Sequence, residues 1–307
     1  MHIAIAGGTG FIGRALASRL LAGGHTVLLL TRSAEPSRTT AGPLTIRQWD
    51  ARTPESLNGC LDTADAVINL TGESLAAKRW SNEQKARIVD SRVDATRALV
   101  AAMAGKRPRV FISVSGVGYY GSVESGDVTE AHHKGKGFLV AVTERWEKEA
   151  QRAASHGVRV VAPRLGLVLG RAGGAFPKML LPFRMFVGGP LGSGSQWFPW
   201  VHIDDCAEAF LFVLKNEGIS GPVNIAAPEA VTMEEFCRTL AGIMHRPCLF
   251  RVPQTVLRTV LGEMAEMLLT GQKAVPEKLL ASGFRFRYPG LAGALSQILN
   301  MTGAKTG

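Results

Sequence analysis

The N-terminus joins an apolar run to a glycine-rich turn, and this junction constrains the fold more than any other feature. Residues 2–6 read His-Ile-Ala-Ile-Ala, a glycine-rich turn follows over residues 7–13, and helix-like sequence begins directly after it. Glycines allow a sharp turn and let a pyrophosphate approach the backbone, while the first turn of the helix offers unpaired N–H groups to that anion. The residues that we expect to line this anion site are Gly7, Thr9, Gly10, Phe11, Ile12 and Gly13.

The residues after the turn complete a βαβ unit, the context in which such a turn binds a dinucleotide. A helix is predicted over residues 11–21, a glycine pair ends it, and the apolar run 26–31 forms the next strand. A nucleoside-triphosphate P-loop is excluded because Arg14 and Ala15 stand where that motif needs Lys followed by Ser or Thr. A glycine turn that binds no ligand is the remaining alternative.

The second strand ends in a basic residue, where an NAD site usually carries Asp or Glu. Arg32 holds this position, Ser33 and later Arg38 follow it, and no acidic residue precedes Glu35. A guanidinium can pair with a ribose 2′-phosphate and stack on adenine, whereas a carboxylate would repel that phosphate. The sequence therefore predicts NADP(H) as the cofactor rather than NAD(H). A solvated arginine without a ligand is the alternative.

Apolar strands continue to alternate with helices as far as residue 169. The predicted strands are 44–50, 65–70, 110–114 and 159–164, and the predicted helices include a short one over 54–61 and longer ones over 82–104 and 138–154. This alternation is typical of an α/β protein with a doubly wound parallel sheet, the Rossmann architecture. Beyond Leu169 the chain becomes rich in Gly, Pro and aromatic residues, which indicates a smaller C-terminal substrate lobe.

The change in composition after residue 169 also suggests domain boundaries. We assign residues 1–169 and 201–230 to the NADP(H)-binding Rossmann domain, and residues 170–200 and 231–307 to the substrate lobe with a C-terminal helical segment. The further elements predicted are a helix that begins near residue 203, a strand over 223–226, a helix opened by a capping box at 232–235, and tail helices over 253–270, 276–282 and 290–300.

Composition excludes several classes of partner. The net charge is +10, but the basic residues are dispersed, so we expect no nucleic-acid partner. No apolar run of about 18 residues exists, so we expect no membrane partner. The four cysteines are scattered without metal-ligand spacing, so we expect no metal site. These cysteines, and a first strand that begins at residue 2, favour the cytoplasm as the location, and we expect a monomer or a homodimer.

These motifs together resemble an atypical extended short-chain dehydrogenase/reductase. The resemblance is greatest to the bacterial "epimerase family" group, which is nucleotide-sugar-epimerase-like and sometimes labelled SulA-like. The stretches that carry it are 7–13, 31–33, 69–74, 113–121, 197–205, 261–272 and 283–289, which are spread over nearly the whole chain. The resemblance implies a Rossmann domain that binds NADP(H), and a small C-terminal lobe that binds a small-molecule substrate.

The same resemblance raises a question about the chemistry. The dehydrogenase superfamily uses a Ser, a Tyr and a Lys four residues after that Tyr, and Ser115 resembles the Ser. The helix that should carry the other two, over residues 138–147, contains neither Tyr nor Lys. Leu139 and Thr143 occupy the two places. The usual catalytic triad is therefore not expected in this chain.

Other residues near the expected crevice could supply the chemistry. Besides Ser115, the catalytic candidates are Tyr119, Tyr120 and Glu73, with Arg164 or Lys78 as the cation that activates a tyrosine. Alternatively, one tyrosine packs while the other lines the cofactor, and Glu73 only hydrogen-bonds a ribose or the backbone. The remaining cofactor-binding candidates are Asp50 near the adenine and, elsewhere along the cofactor, Leu70, Thr71, Gly72, Ser113 and Arg164.

Two functions follow as hypotheses. The first is an NADP(H)-binding oxidoreductase or epimerase-like enzyme that acts on a small polar substrate. The second is a non-catalytic NADP(H)-binding sensor or regulatory protein, which would keep the glycine turn and lose the Tyr and Lys. A sugar-nucleotide epimerase is a third option, but it needs tightly held NAD, and Arg32 argues against that cofactor.

Overall fold

A computed structural model describes residues 1–32, 42–106 and 108–300 of the 307-residue chain. The strands, in chain order, are β1 His2–Ala6, β2 Thr26–Thr31, β3 Leu44–Gln48, β4 Ala66–Asn69, β5 Val110–Ser113, β6 Ser115–Gly116, β7 Asp127–Val128, β8 Arg159–Leu165, β9 Leu167–Leu169, β10 Trp197–Phe198, β11 Trp200–His202, β12 Gly221–Ile225, β13 Val231–Thr232 and β14 Lys273–Ala274. The α-helices are α1 Phe11–Ala22, α2 Asn82–Met103, α3 Phe138–Gln151, α4 Phe176–Arg184, α5 Ile203–Lys215, α6 Met233–Met244, α7 Gln254–Leu261, α8 Glu266–Leu269, α9 Glu277–Ala281 and α10 Leu291–Asn300.

The main sheet has eight strands and is parallel throughout. Its order is β12-β8-β5-β4-β1-β2-β3, and β6 pairs beside β8. From β1 the chain moves outward through β2 and β3, then returns to the other side of β1 with β4 and β5. The order therefore reverses between β1 and β4, and a crevice forms there at the carboxyl edge of the sheet. The predicted α/β fold class is confirmed.

Helices cover both faces of this sheet because alternate residues of each strand point to opposite sides. Ile3 and Ile5 of β1 belong to an apolar cluster that also contains residues of α1 and α5. Ala4 and Ala6 belong to a second cluster, which contains residues of α2. All four side chains are fully buried, as expected for a parallel sheet between two helical layers.

A third apolar cluster holds together the region predicted to form the smaller lobe. It contains residues of α4, α6 and α10 together with Phe198 and Trp200. Leu169 and Ala227, which lie outside the predicted lobe segments, contribute to the same cluster. The sequence boundaries of this lobe stay a prediction.

Some predicted helices are shorter or broken in the structure. The helix expected over 253–270 is divided into α7, a 3₁₀ turn at Gly262–Ala265, and α8. The division occurs because Gly262 ends α7 with φ 61°, a left-handed value incompatible with a continuing helix. The short helix expected over 54–61 is a 3₁₀ turn at Glu55–Leu57. Among the described residues, no helix is long and apolar enough to cross a membrane, and no group of metal-ligating side chains could hold an ion.

Candidate functional site

The glycine turn packs tightly against its surroundings at both ends. Gly7 has φ 77°, and a Cβ atom there would lie 2.9 Å from the carbonyl carbon of Leu70 at the end of β4. A Cβ atom on Gly13 would lie 2.5 Å from the Cα atom of Gly8. Only glycine fits these two positions, so the turn can pass close to the end of β4 while α1 packs directly against it.

The N-terminus of α1 is open toward the crevice. Gly10 is the N-cap residue and supplies no side-chain cap, and both Thr9 and Gly10 are exposed. The first intrahelical bond runs from the Arg14 N–H to the Gly10 carbonyl at 2.9 Å. The N–H groups of Phe11 and Ile12 therefore have no intrahelical acceptor and can bind an anion. The structure thus places the six predicted pyrophosphate residues in one turn.

The second strand carries Arg32 to the same edge of the sheet. The Gly7 N–H donates to the Leu30 carbonyl at 3.2 Å, so the glycine turn adjoins the end of β2. Arg32 directly follows β2 and is exposed. Its guanidinium is therefore accessible to a ligand that extends from the turn across β2. Ser33 and Arg38, which were grouped with Arg32 in the sequence, lie outside the described residues.

The carboxylate of Asp50, which follows β3, forms hydrogen bonds within its own loop. It accepts hydrogen bonds from the N–H groups of Arg52 and Thr53 at 2.8 and 2.9 Å, and from the hydroxyls of Thr53 and Ser56 at 2.7 Å. Desolvation raises the pKa of Asp50, but these bonds outweigh it and hold the pKa below its usual value. That Asp50 lies near the adenine stays a prediction. Any such contact would be made by the loop that Asp50 shapes.

At the end of β4, a buried asparagine that sequence reasoning did not single out links two predicted site residues. The Asn69 Oδ1 atom accepts hydrogen bonds from the Thr71 N–H at 3.1 Å and the Thr71 hydroxyl at 2.6 Å. Its Nδ2 atom donates to the Ser113 hydroxyl at 3.1 Å. Ser113 is buried, so its bond to Asn69 joins the ends of β4 and β5 in the interior. A polar residue within an apolar strand was the signal available in the sequence.

The segment after Thr71 is hydrogen-bonded to α2. The guanidinium of Arg92 donates to the Glu73 carbonyl at 3.0 Å, and the Glu73 N–H donates to the Ser91 hydroxyl at 3.0 Å. A Cβ atom on Gly72 would lie 2.9 Å from the Arg92 guanidinium carbon. Burial lowers the pKa of Arg92 to about 10, with the charge of Glu73 acting in the opposite direction. These contacts fix the backbone at Glu73.

Gln84 orients the Glu73 carboxylate. Its Nε2 atom donates to Oε1 of Glu73 at 2.8 Å, and its own Oε1 atom is buried with no hydrogen-bond partner among the described residues. Gln84 and Arg92 lie on the same buried stripe of α2 as Ile88. Polar residues within such a stripe are the pattern that could have identified them from sequence. Glu73 itself is half-buried and remains a candidate acid or base.

Ser115, Tyr120 and Arg164 are joined through a buried polar network. The Ser115 hydroxyl donates to Glu147 at 2.6 Å, and Arg164 donates to both carboxylate oxygens of Glu147 at 2.9 and 2.8 Å. Arg164 also donates to the Tyr120 hydroxyl at 3.0 Å, and that hydroxyl donates to Asn224 at 2.7 Å. Burial raises the pKa of Tyr120, although Arg164 opposes this shift. Tyr120 is fully buried and therefore unavailable to a substrate.

Tyr119 differs from Tyr120 in both exposure and bonding. It is half-buried, and its hydroxyl makes no hydrogen bond among the described residues. The guanidinium carbon of Arg164 lies 3.5 Å from the centre of its ring. Although burial disfavours the charge of Arg164, hydrogen bonding and attraction to Glu147 raise the pKa of this arginine. A permanent cation therefore lies against a tyrosine whose hydroxyl is free.

Apolar or internally bonded side chains of α3 meet this turn at the two places where the superfamily carries its Tyr and Lys. A Cβ atom on Gly118 would lie 3.3 Å from the Leu139 Cβ atom, and one on Gly116 would lie 4.0 Å from the Thr143 Cγ2 atom. The Thr143 hydroxyl donates to the carbonyl of Leu139 at 2.9 Å and is buried. Leu139 and Thr143 therefore face the turn that carries Tyr119, and neither supplies an acid or base.

The C-terminal segment returns to cover this region. Met264 and Met267 pack against the apolar cluster of Trp80, Ile88 and Val142. The Gln272 side-chain amide donates to the Val117 carbonyl at 2.6 Å. The tail thus packs against the turn that carries Tyr119 and against the apolar cluster beside it.

In the described part of the chain, His202 and the pair His132 and His133 are not hydrogen-bonded to the residues of the buried polar network. His202 is buried and caps α5, because its Nδ1 atom accepts a hydrogen bond from the Asp204 N–H at 3.0 Å. His132 and His133 are exposed, although the His132 ring packs edge-on against Tyr120 with 6.0 Å between the ring centres.

Comparison with known proteins supports the resemblance noted in the sequence. A profile described as "NAD dependent epimerase/dehydratase family" matches residues 3–226, and one described as "Domain of unknown function (DUF1731)" matches residues 252–298. "Epimerase family protein YfhF" of Bacillus subtilis is 39% identical over 304 residues, covering 97% of this chain and 98% of its own length. A relative from Arabidopsis thaliana, "Epimerase family protein SDR39U1 homolog, chloroplastic", is 38% identical, and the match covers 97% of this chain and 87% of the relative's length.

A solved structure agrees with the same assignment. The crystal structure of "human epimerase family protein SDR39U1 (isoform2) with NADPH" matches with a TM-score of 0.88 and 35% identity, covering 98% of this chain and 99% of that one. The profile spans well over half of the chain, and the curated relatives match over nearly their full length. The chain therefore belongs to the NAD dependent epimerase/dehydratase family.

Proposed function

We propose that the chain binds NADP(H) along the carboxyl edge of its sheet. The observation that carries this proposal is the glycine turn, where a Cβ on Gly13 would lie 2.5 Å from Gly8 and the first N–H groups of α1 remain open. Such a cradle suits a pyrophosphate. The exposed Arg32 beyond β2 suits a 2′-phosphate. The human relative solved with NADPH supports this choice of cofactor.

The predicted cofactor residues take different parts in this proposal. The turn residues Gly7, Thr9, Gly10, Phe11, Ile12 and Gly13 would hold the pyrophosphate, and the Asp50 loop would approach the adenine. Leu70, Thr71 and Gly72 would line the crevice where strand order reverses. Ser113 and Arg164 are buried and bonded to neighbouring side chains, so we assign them supporting rather than contacting roles.

For the chemistry, we propose an oxidoreductase or epimerase-like activity on a small polar substrate. The nicotinamide ring of the bound cofactor would supply reversible hydride exchange. Tyr119 is the best-placed proton donor or acceptor, because its hydroxyl is free and Arg164 lies 3.5 Å from its ring centre. Glu73 is the second candidate, held in position by Gln84. Ser115 and Tyr120 would position Tyr119 through Glu147 and Arg164.

A non-catalytic NADP(H)-binding sensor is the second candidate function. Leu139 and Thr143 occupy the two helix positions at which the superfamily carries its acid and its activating cation. A protein that needs the cofactor only as a signal would retain the glycine turn without these two groups.

Single-turnover mixing of the protein with NADPH and a panel of small carbonyl compounds separates the two functions. The enzyme hypothesis predicts loss of reduced-nicotinamide absorbance with at least one compound, slowed about a hundredfold or more in Tyr119→Phe. NADPH binding should be unchanged in that variant. Binding without oxidation across the whole panel would favour the sensor.

A further inference from the structure

Acidic residues are absent from two long stretches of the chain. None of the 25 Asp and Glu residues lies within 150–203 or within 236–262, although basic residues occur throughout both stretches. The structure brings parts of these stretches side by side in the C-terminal region. The Val252 N–H donates to the Pro190 carbonyl at 3.0 Å, and the Phe250 N–H donates to the Gly188 carbonyl at 3.4 Å.

The same stretches carry most of the exposed apolar side chains. Of the ten large hydrophobic residues that are exposed in the described part of the chain, eight fall within these acid-free stretches. Six of the eight form what we call the apolar patch, on the last turn of α4, the residues after it, and the adjoining loop before α7. The patch consists of Leu181, Met185, Phe186, Val187, Leu249 and Phe250, with exposures from 49% to 77%. Concentrated apolar exposure of this kind marks an interaction surface.

Unneutralised cations border the apolar patch. Lys178 and Arg184 are exposed on α4 and form no ion pair among the described residues. Lys178, Leu181 and Met185 follow one another at helical spacing, so one face of α4 presents a cation beside two apolar side chains. The guanidinium of Arg246 lies 4.4 Å from the ring centre of Phe186.

The positive charges of Lys178 and Arg184 are not part of a salt-bridge network within the described part of the chain. Glu234, from α6, pairs with both Arg238 and Arg251, so these two arginines share one carboxylate. Lys178 and Arg184 have no such partner in the described part of the chain, and their charge is available to an external anion.

We propose that the apolar patch and its cations dock onto the surface of an anionic phospholipid bilayer. Side chains that are about half or more exposed protrude from the molecule, as is required for insertion among lipid headgroups, and Lys and Arg beside them would contact lipid phosphates. A second copy of the chain is a poorer occupant, because two like-charged borders would meet. An acidic protein segment is the alternative partner, and the experiment must distinguish it from an anionic bilayer.

This docking is independent of the proposed cofactor chemistry. It also revises the expectation of no membrane partner, which rested on the lack of a spanning segment. A peripheral contact needs only an amphipathic, cationic surface.

Co-sedimentation of the full chain with vesicles tests the proposal. One set of vesicles is phosphatidylcholine alone, and the other is an equal mixture of phosphatidylcholine and phosphatidylglycerol. We expect sedimentation with the anionic set only, weakened by added salt. The double variant Lys178→Gln/Arg184→Gln should bind about tenfold to thirtyfold more weakly. Leu249→Ser/Phe250→Ser should also lose binding.

Matched controls lie away from the patch. Leu280→Ser removes an exposed apolar side chain from α9, and Arg145→Gln/Lys148→Gln removes two exposed cations from α3. Both should sediment like the unmodified chain, and all variants should keep its melting temperature. The proposal is overturned if the unmodified chain does not sediment with the anionic vesicles, or if the patch variants match the controls. Displacement of the chain from vesicles by an acidic amphipathic peptide at equimolar concentration would also overturn it, in favour of a protein partner.

Discussion

At the scale of single residues, neighbouring side chains in the crevice differ in what they are free to do. Tyr119 and Tyr120 are adjacent, and both contact Arg164. The Tyr120 hydroxyl is bonded to Arg164 and Asn224, whereas the Tyr119 hydroxyl is unbonded among the described residues. The sequence could nominate both tyrosines but could not separate them. Separating them depends on Asn224, a residue 104 positions away that only the fold brings near.

Arg32 is the residue on which cofactor choice depends. We predict that Arg32→Ala weakens NADPH binding by about tenfold to a hundredfold, because a charge-assisted hydrogen bond contributes about 1.5–3 kcal/mol. NADH, which lacks the 2′-phosphate, should bind with unchanged affinity. Fluorescence titration with each dinucleotide measures both effects.

Arg145→Ala is the matched control, since Arg145 is an exposed arginine on α3. Equal loss of NADH and NADPH affinity in Arg32→Ala would assign this residue a general structural role instead. Unchanged NADPH affinity would remove Arg32 from the site.

At the scale of elements, two helical glycines should respond oppositely to the same substitution. Gly13→Ala in α1 would place a Cβ atom 2.5 Å from the Gly8 Cα atom, and we predict a loss of about 1–3 kcal/mol in the free energy of unfolding. Gly293 in α10 is exposed, and an added Cβ atom there would meet no neighbouring atom within 4 Å. Gly293→Ala should stabilise the protein by about 0.5–1 kcal/mol. Urea unfolding compares the two, and equal effects would contradict the described packing of α1.

The cap of α5 should make stability depend on pH. Burial lowers the pKa of His202 below 6.5, and its Nδ1 atom must be unprotonated to accept from the Asp204 N–H. Below pH 6.5 the imidazole of His202 is protonated more readily in the unfolded chain than in the folded chain. The free energy of unfolding therefore falls as the pH is lowered. Between pH 7 and 5 this contribution amounts to at most about 2 kcal/mol.

His202→Asn retains a capping side chain without the titration. Urea unfolding at pH 7 and pH 5 should therefore show a smaller loss of stability in this variant than in the unmodified chain. The buried Asp205, whose own pKa is raised chiefly by burial, is present in both proteins. A loss equal in the two proteins would show that His202 does not titrate in this range.

Local patterns explain which elements the sequence could predict. The strand–turn–helix at residues 2–22 and the capping box at Thr232 and Glu235 are encoded by neighbouring residues, and both are confirmed. The broken tail could not be predicted in this way, because the left-handed conformation of Gly262 is not evident from its neighbours. The contacts of Arg92 with Glu73 and of Glu147 with Arg164 depend on packing between elements, which periodicity does not reveal.

At the scale of the whole molecule, one buried polar network connects the crevice with distant parts of the chain. It runs from Ser115 through Glu147, Arg164 and Tyr120 to Asn224. The Asn224 N–H then donates to Glu130, which also accepts from the Lys278 N–H just inside α9. The C-terminal segment is thereby tied to the wall that carries Tyr119. The candidate site therefore draws on both parts of the chain, although the change in composition suggested a separate lobe.

The most direct test of NADP(H) binding at the carboxyl edge of the sheet is calorimetric titration of the unmodified chain with NADPH and, separately, with NADH. We expect saturable one-site binding of NADPH together with a raised melting temperature, and at least about tenfold weaker binding of NADH. Absence of heat and of any melting shift at high NADPH concentration, or equal affinity for the two dinucleotides, would contradict the proposed cofactor site.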